Sequence, residues 1–124
     1  MKLNFDNEKS IYLQIAESIE DDILRDALQE EEQLPSTNQL ATLLQINPAT
    51  AGKGINLLVE EGIVYKKRGI GMFVATGARE KLRAKRKDAF YQTYIVTLLH
   101  EAKNLGLTHA ELFTLLEKGE KEHG

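Results

Sequence analysis

Along this chain the apolar positions fall into a few stretches with distinct periods, and each period predicts an element. Between residues 10 and 28, Ile11, Ile15, Ile19 and Ile23 recur every four residues, with Ala16, Leu24 and Ala27 beside them. That is the stripe of an amphipathic helix, and Glu17, Glu20, Asp21, Asp22 and Asp26 take its opposite, acidic face. A shorter stripe follows at Leu40, Leu43 and Leu44, and a third at Ile55, Leu58 and Val59. Ser36 with Gln39 three residues on can form a capping box at the start of the second stripe. Asn47 can cap the third, with Pro48 at the first helical position, where its missing N–H costs nothing, and Gly62 supplies the stop. The residues between, about Gln45 to Asn47, leave room only for a tight corner. Two β-prone runs come next, Ile63-Val64-Tyr65 and Met72-Phe73-Val74, around Lys66-Lys67-Arg68-Gly69-Ile70-Gly71, whose glycines suit a hairpin turn.

The remainder reads as helix. From Ala78 to about Asn104 there is neither proline nor internal glycine. The first half, Arg79 to Lys87, is basic and nearly bare of large apolar residues. In the second half, Phe90, Tyr91, Tyr94, Ile95, Val96, Leu98, Leu99 and Ala102 are apolar over more than one face. Leu105-Gly106 ends that helix, and Thr108 with Glu111 opens a short one with Leu112, Phe113, Leu115 and Leu116 on its inner side. Lys118 to Gly124 is expected to fray, residues 1–9 to form an extended lead-in, and Gln29 to Gln33 (QEEEQ) a solvated connector. The fold class expected is mainly α with a small β-hairpin: a winged helix-turn-helix domain over residues 1–76, then a two-helix segment over 77–124.

Composition changes the picture in two places. No cysteine is present, so there is no disulfide framework or thiolate metal site. No apolar run approaches the roughly 20 residues that span a bilayer, and a cytoplasmic protein is expected. The net charge of −3 argues against a polyanionic partner until its distribution is considered. Residues 1–35 carry 3 basic and 10 acidic side chains, whereas residues 66–87 carry 9 basic side chains against Glu80 alone. Affinity for DNA follows local phosphate neutralisation, so the basic segment outweighs the total.

Helix, tight turn, helix is the arrangement that lays a second helix into a major groove, and a cationic hairpin behind it can meet phosphates or the minor groove. Ser36 and Thr37 can offer hydroxyls and N–H groups to a phosphate. Asn47, Ala49, Thr50 and Lys53 fall near the N-terminal end of the second helix, where side chains meet base edges. Gly52 and Gly54 each cost about 1 kcal/mol against alanine inside a helix. They either permit close approach to DNA or to the first helix, or are tolerated weaknesses. Gly52-Lys53-Gly54 lacks the Gly-Lys-Ser/Thr ending of a phosphate loop. His100, His109 and His123 are read as surface or interface residues, no serine sits in a nucleophile elbow, and neither enzyme chemistry, metal nor cofactor is expected.

The whole block resembles the winged helix-turn-helix domain of the GntR family of bacterial transcription regulators. The resemblance is carried by Ser10 to Ala16, Leu34-Pro35-Ser36, Leu40-Ala41, Asn47-Pro48, Thr50, Leu57-Leu58, Glu61-Gly62-Ile63-Val64 and Gly69 to Val74. It implies DNA contact by the wing residues Lys66, Lys67, Arg68, Gly69 and Ile70 as well as by the recognition helix. Asn38 stands where most family members have a DNA-reaching arginine, and QEEEQ replaces a glycine-rich turn. The short helical C-terminus resembles the YtrA-type subfamily, in which it serves dimerisation. Phe90, Tyr91, Tyr94, Ile95, Leu98, Leu99, Leu112 and Leu116 are the residues expected there, because their faces need a partner and a second copy is the simplest. The resemblance thus implies a homodimeric repressor on an inverted-repeat operator of double-stranded DNA, leaving room for a small-molecule effector it does not identify. Two other readings fit the same residues: a winged-helix module kept for a protein partner, and a non-specific architectural DNA binder driven by residues 66–87.

Overall fold

Helix α1, Ile11–Leu24, is the platform of the fold, with Ile15, Ile19 and Ile23 sealed in the core. The computed structural model describes residues 3–4 and 10–124. Most of the expected lead-in over residues 1–9 therefore lies outside the described residues, although the backbone of Asn4 pairs with the Gln14 side chain in both directions (2.7 and 2.9 Å). The stripe reaches Leu28, but the helix stops at Leu24. Asp26 turns left-handed (φ 62°), and the N–H groups of Ala27 and Leu28 both fold back to the Asp22 carbonyl. Leu28 keeps its place against the core from the turn instead of from the helix. Glu20, expected on the outward acidic face, is buried (3% exposed), because it stands one turn beyond buried Ala16 on the same side.

Helices α2, Thr37–Leu44, and α3, Pro48–Glu60, complete the three-helix core. The Ser36–Gln39 capping box forms in both directions, and Gln45 closes α2 in the left-handed conformation (φ 56°). Two apolar expectations are corrected here. The buried face of α2 is centred on Leu40, Ala41 and Leu44, which leaves Leu43 74% exposed. That of α3 is centred on Ala51, Ile55 and Leu58, which leaves Val59 at its edge, 36% exposed.

Strands β1, Val64–Lys67, and β2, Gly71–Val74, pair antiparallel with Tyr65 opposite Phe73. The second edge of β2 is met by the connector: Glu31 N–H donates to Val74 C=O (2.8 Å), Leu34 N–H to Met72 C=O (2.8 Å), and Val74 N–H to Glu32 C=O (3.0 Å). QEEEQ is solvent-exposed throughout, as expected of a solvated connector, but its backbone forms an ordered third row, since an open strand edge demands partners for its N–H and C=O groups.

Helix α4, Ala78–Phe90, begins inside the same core, with Ala78 and Leu82 fully buried. The chain divides into two compact units, Met1–Ala84 and Lys85–Gly124, so the first ends at Ala84 rather than at the expected Thr76. In the second, the single helix expected to about Asn104 is interrupted by a π-helical turn, Tyr91–Ile95, before α5, Val96–Leu105. Gly106 (φ 67°) ends α5, and the Thr108–Glu111 capping box opens α6, His109–His123. The tail expected to fray from Lys118 is helical, consistent with Glu117 four residues before Lys121 and with Lys121 and His123 at the negative end of the helix dipole. Among the described residues, no helix is long and apolar enough to cross a membrane.

Candidate nucleic-acid interface

The corner between α2 and α3 is built by side chains that are themselves interface candidates. Ser36 Oγ accepts from Gln39 N–H (3.0 Å), and the Ser36 N–H donates to Gln39 Oε1 (2.9 Å). The Ser36 N–H, expected to face a phosphate, is thus committed to the cap, while Thr37 and Asn38 hold first-turn N–H groups that a helix leaves without an acceptor four residues back. Asn47 Oδ1 accepts from Ala49 N–H (2.8 Å), so Asn47 sets the entry of the recognition helix. Ala49 and Lys53 are exposed on α3, and Thr50 is half-buried.

The two glycines of α3 differ. A Cβ on Gly54 would stand 2.8 Å from the Tyr12 carbonyl oxygen and 3.1 Å from Ile15 Cγ2, so glycine is what allows α3 to lie against α1. A Cβ on Gly52 would meet only Thr37 Cγ2, at an ordinary 3.5 Å. Of the readings open for this pair, close approach to the first helix holds for Gly54, whereas no packing within the chain requires glycine at Gly52. Between them, Lys53 lays its Nζ over the Tyr12 ring of α1, 4.0 Å from the centroid. Sequence reasoning missed that contact because Tyr12 belongs to a helix with no other interface role.

In the wing, Lys66 and Lys67 are strand residues and the turn proper is Arg68-Gly69-Ile70, closed by Ile70 N–H to Lys67 C=O (2.9 Å). Gly69 takes φ 78°, a conformation that favours glycine. Lys67 Nζ sits 4.3 Å from the Phe73 ring centroid, and Tyr65 packs beside Phe73 at 6.0 Å. The tip residues Arg68 and Ile70 are exposed, Ile70 at 64%. The wing root is fastened by Glu31, whose carboxylate accepts from the Tyr65 hydroxyl and from Thr76 Oγ1 (2.7 Å). Those two donors, the tyrosine foremost, hold the Glu31 carboxyl below the ordinary carboxylate value, and the same contact raises the Tyr65 phenol. Nothing in the local sequence pairs residue 31 with residues 65 and 76.

In the second unit, Phe90, Tyr91, Tyr94 and Leu99 are exposed to between 47 and 63%, and Leu116 to 51%, while Ile95, Leu98 and Leu112 are half-buried. Phe90 and Tyr94 pack ring to ring at 5.5 Å. In the first unit a cleft of about 740 Å³ opens beside α2, lined by Leu28, Glu32, Leu34 and the exposed Leu43 among others.

Residues 11–74 match the family of bacterial regulatory proteins described as the gntR family. The chain is 30% identical over 103 residues to the HTH-type transcriptional repressor YtrA of Bacillus subtilis (strain 168), covering 73% of this chain and 79% of that one. Its fold matches a crystal structure of a putative GntR-family transcriptional regulator from Bacteroides thetaiotaomicron, with TM-score 0.77, 31% identity, and coverage of 93% of this chain and 100% of that one. The chain also matches the AraR DNA-binding domain crystallised in complex with operator ORX1, with TM-score 0.53, 28% identity, and coverage of 60% of this chain and 96% of that one. These similarities and the helix-turn-helix with its wing define a winged-helix regulator. The chain belongs to the GntR family and is similar to YtrA within it.

Proposed function

We propose that this protein is a homodimeric, sequence-specific DNA-binding repressor acting in the bacterial cytoplasm on an inverted-repeat operator. The observation that carries the reading is the combination, in one family-matched unit, of a capped recognition helix with exposed Ala49 and Lys53 and an exposed cationic wing tip at Arg68. Ser36, Thr37 and Asn38 would meet phosphates, Asn47, Ala49, Thr50 and Lys53 base edges or backbone, and Lys66 to Ile70 the adjacent groove. Residues 77–124 would join two copies through Phe90, Tyr91, Tyr94, Ile95, Leu98, Leu99, Leu112 and Leu116, and the two recognition helices would enter successive major grooves about 34–36 Å apart. Repression would follow from occupying a promoter.

The test is a gel-shift titration against the DNA upstream of the protein's own gene, with random duplex as competitor. A band at dimer stoichiometry that survives competition supports the reading. A shift abolished equally by random duplex points to non-specific binding, and no shift on this or on other promoters points to a protein partner.

A further inference from the structure

The outward face of α3 is bare where a reading helix needs its side chains. Ala49, Gly52, Lys53 and Asn56 stand at i, i+3, i+4 and i+7, so they share one side of the helix, opposite the buried Ala51, Ile55 and Leu58. Two of the four offer a methyl group or nothing. A Cβ on Gly52 would meet only Thr37 Cγ2, at 3.5 Å, so the chain itself does not require the gap. Lys53 is drawn to one flank, its Nζ 4.0 Å from the centroid of the Tyr12 ring on α1. The ring face takes one side of the ammonium and leaves N–H donors for a phosphate oxygen, a contact that carries no sequence information. Asn56 is exposed, and among the described residues none hydrogen-bonds its side-chain amide.

We propose that Asn56 is the specificity-determining residue of this helix and reads an adenine, and that Gly52 lets the helix come close enough for it to do so. This rests on the DNA-binding reading above. Asparagine matches adenine in the major groove: its NH2 donates to N7 and its oxygen accepts from the N6 amino group. The side chain is short, so its amide reaches a base edge only when the helix lies deep in the groove. A side chain longer than methyl at position 49 or 52 would meet the groove floor first and hold the helix off. From Ala49 to Asn56 the helix rises about 10 Å, which is about three base-pair steps. The adenine therefore lies that far along the groove from the pair Ala49 faces, where a methyl suits thymine.

The experiment uses the full chain, a duplex it selects from a randomised pool, and that duplex with each base pair substituted in turn. At one position per recognition helix the wild type is expected to favour A·T by on the order of tenfold over the other pairs. Asn56→Ala removes an exposed amide and improves helix propensity, so it folds. It should bind all pairs at that position within about twofold of one another, with discrimination elsewhere unchanged. Asn56→Asp has acceptors only and should move the preference there to cytosine, whose N4 amino group donates. Gly52→Leu should unfold no more readily than the wild type, since leucine is the better helix former, yet lose the same discrimination. Lys53→Ala should weaken every duplex alike, with a salt slope smaller by about 1. An Asn56→Ala chain that keeps the wild-type preference at every position would overturn the proposal, as would one weakened equally on all duplexes. Wild-type discrimination in Gly52→Leu would overturn the part assigned to Gly52. A wild type that enriches no sequence from the pool would overturn the sequence-specific DNA-binding reading itself, and it would do so before any variant is made.

Discussion

Gly54 and Gly52 stand two residues apart on α3, yet alanine should act on them in opposite directions. At Gly54 the new methyl meets the Tyr12 backbone oxygen at 2.8 Å, an atom that cannot swing aside, so Gly54→Ala is expected to destabilise by about 1–3 kcal/mol in urea unfolding. At Gly52 the nearest atom is 3.5 Å away and the helix-propensity gain is unopposed, so Gly52→Ala is expected to stabilise by about 1 kcal/mol. A stabilised Gly54→Ala would contradict the packing described. That the sequence holds two costly glycines in one helix is legible. Which of them serves α1 is not, because Tyr12 and Ile15 lie some 40 residues earlier. Glu31 and Tyr65 make a second residue-scale prediction. The folded state holds Glu31 below its ordinary 4.5, so its contribution is present above that pH and is lost as pH falls through the lowered value. Tyr65 is raised above 10.0, so its contribution is present below pH 10 and is lost as pH rises through the raised value. Unfolding midpoints for wild type, Glu31→Gln and Tyr65→Phe should therefore differ most near neutrality and converge at both extremes. A constant offset across pH would remove this contact from the account.

Elements whose signals are local were legible, and those completed from a distance were not. Ser36 with Gln39, Asn47 with Pro48, and Thr108 with Glu111 are contained within one turn each, and all three caps form as the sequence indicates. The connector was legible as solvated but its pairing was not, because its partners Val74, Tyr65 and Gly77 lie between 34 and 47 residues away. The early end of α1 likewise depends on a left-handed Asp26 that periodicity does not register, and no polarity pattern marks the π turn over Tyr91–Ile95. The wing was read correctly as a hairpin, but its lysines are strand residues and Lys67 is held over Phe73. Arg68, in the turn itself, is the freer cation for a phosphate. Operator affinity measured against salt should therefore show a slope smaller by about 1 in Arg68→Ala, with a further drop in the Lys67–Arg68 double alanine variant. An unchanged slope in the double variant would take the wing away from the DNA.

For the whole molecule, the asymmetry of charge and of apolar exposure points the same way. The first 35 residues carry 3 basic and 10 acidic side chains and residues 66–87 carry 9 basic ones against Glu80 alone, so local phosphate neutralisation is available only from the second stretch. Beyond Lys85, Ala102 is the one buried hydrophobic side chain among the described residues, while Tyr94 and Leu99 are 63% and 47% exposed. An apolar surface of that kind is one a partner would cover, and a second copy through a two-fold contact would use the same residues on both sides. Replacing Tyr94 and Leu99 together by glutamate removes no side chain from the core, so the variant should fold with the helical content of the wild type. It should sediment as a monomer at micromolar concentration. Its operator affinity should fall by on the order of 10²–10⁴-fold, the gain that linking two half-site contacts confers, while its affinity for a single half-site stays at the wild-type value. If the variant instead remains a dimer with full operator affinity, the contact between copies lies elsewhere, and the exposed aromatic face around the π turn must answer to a different partner.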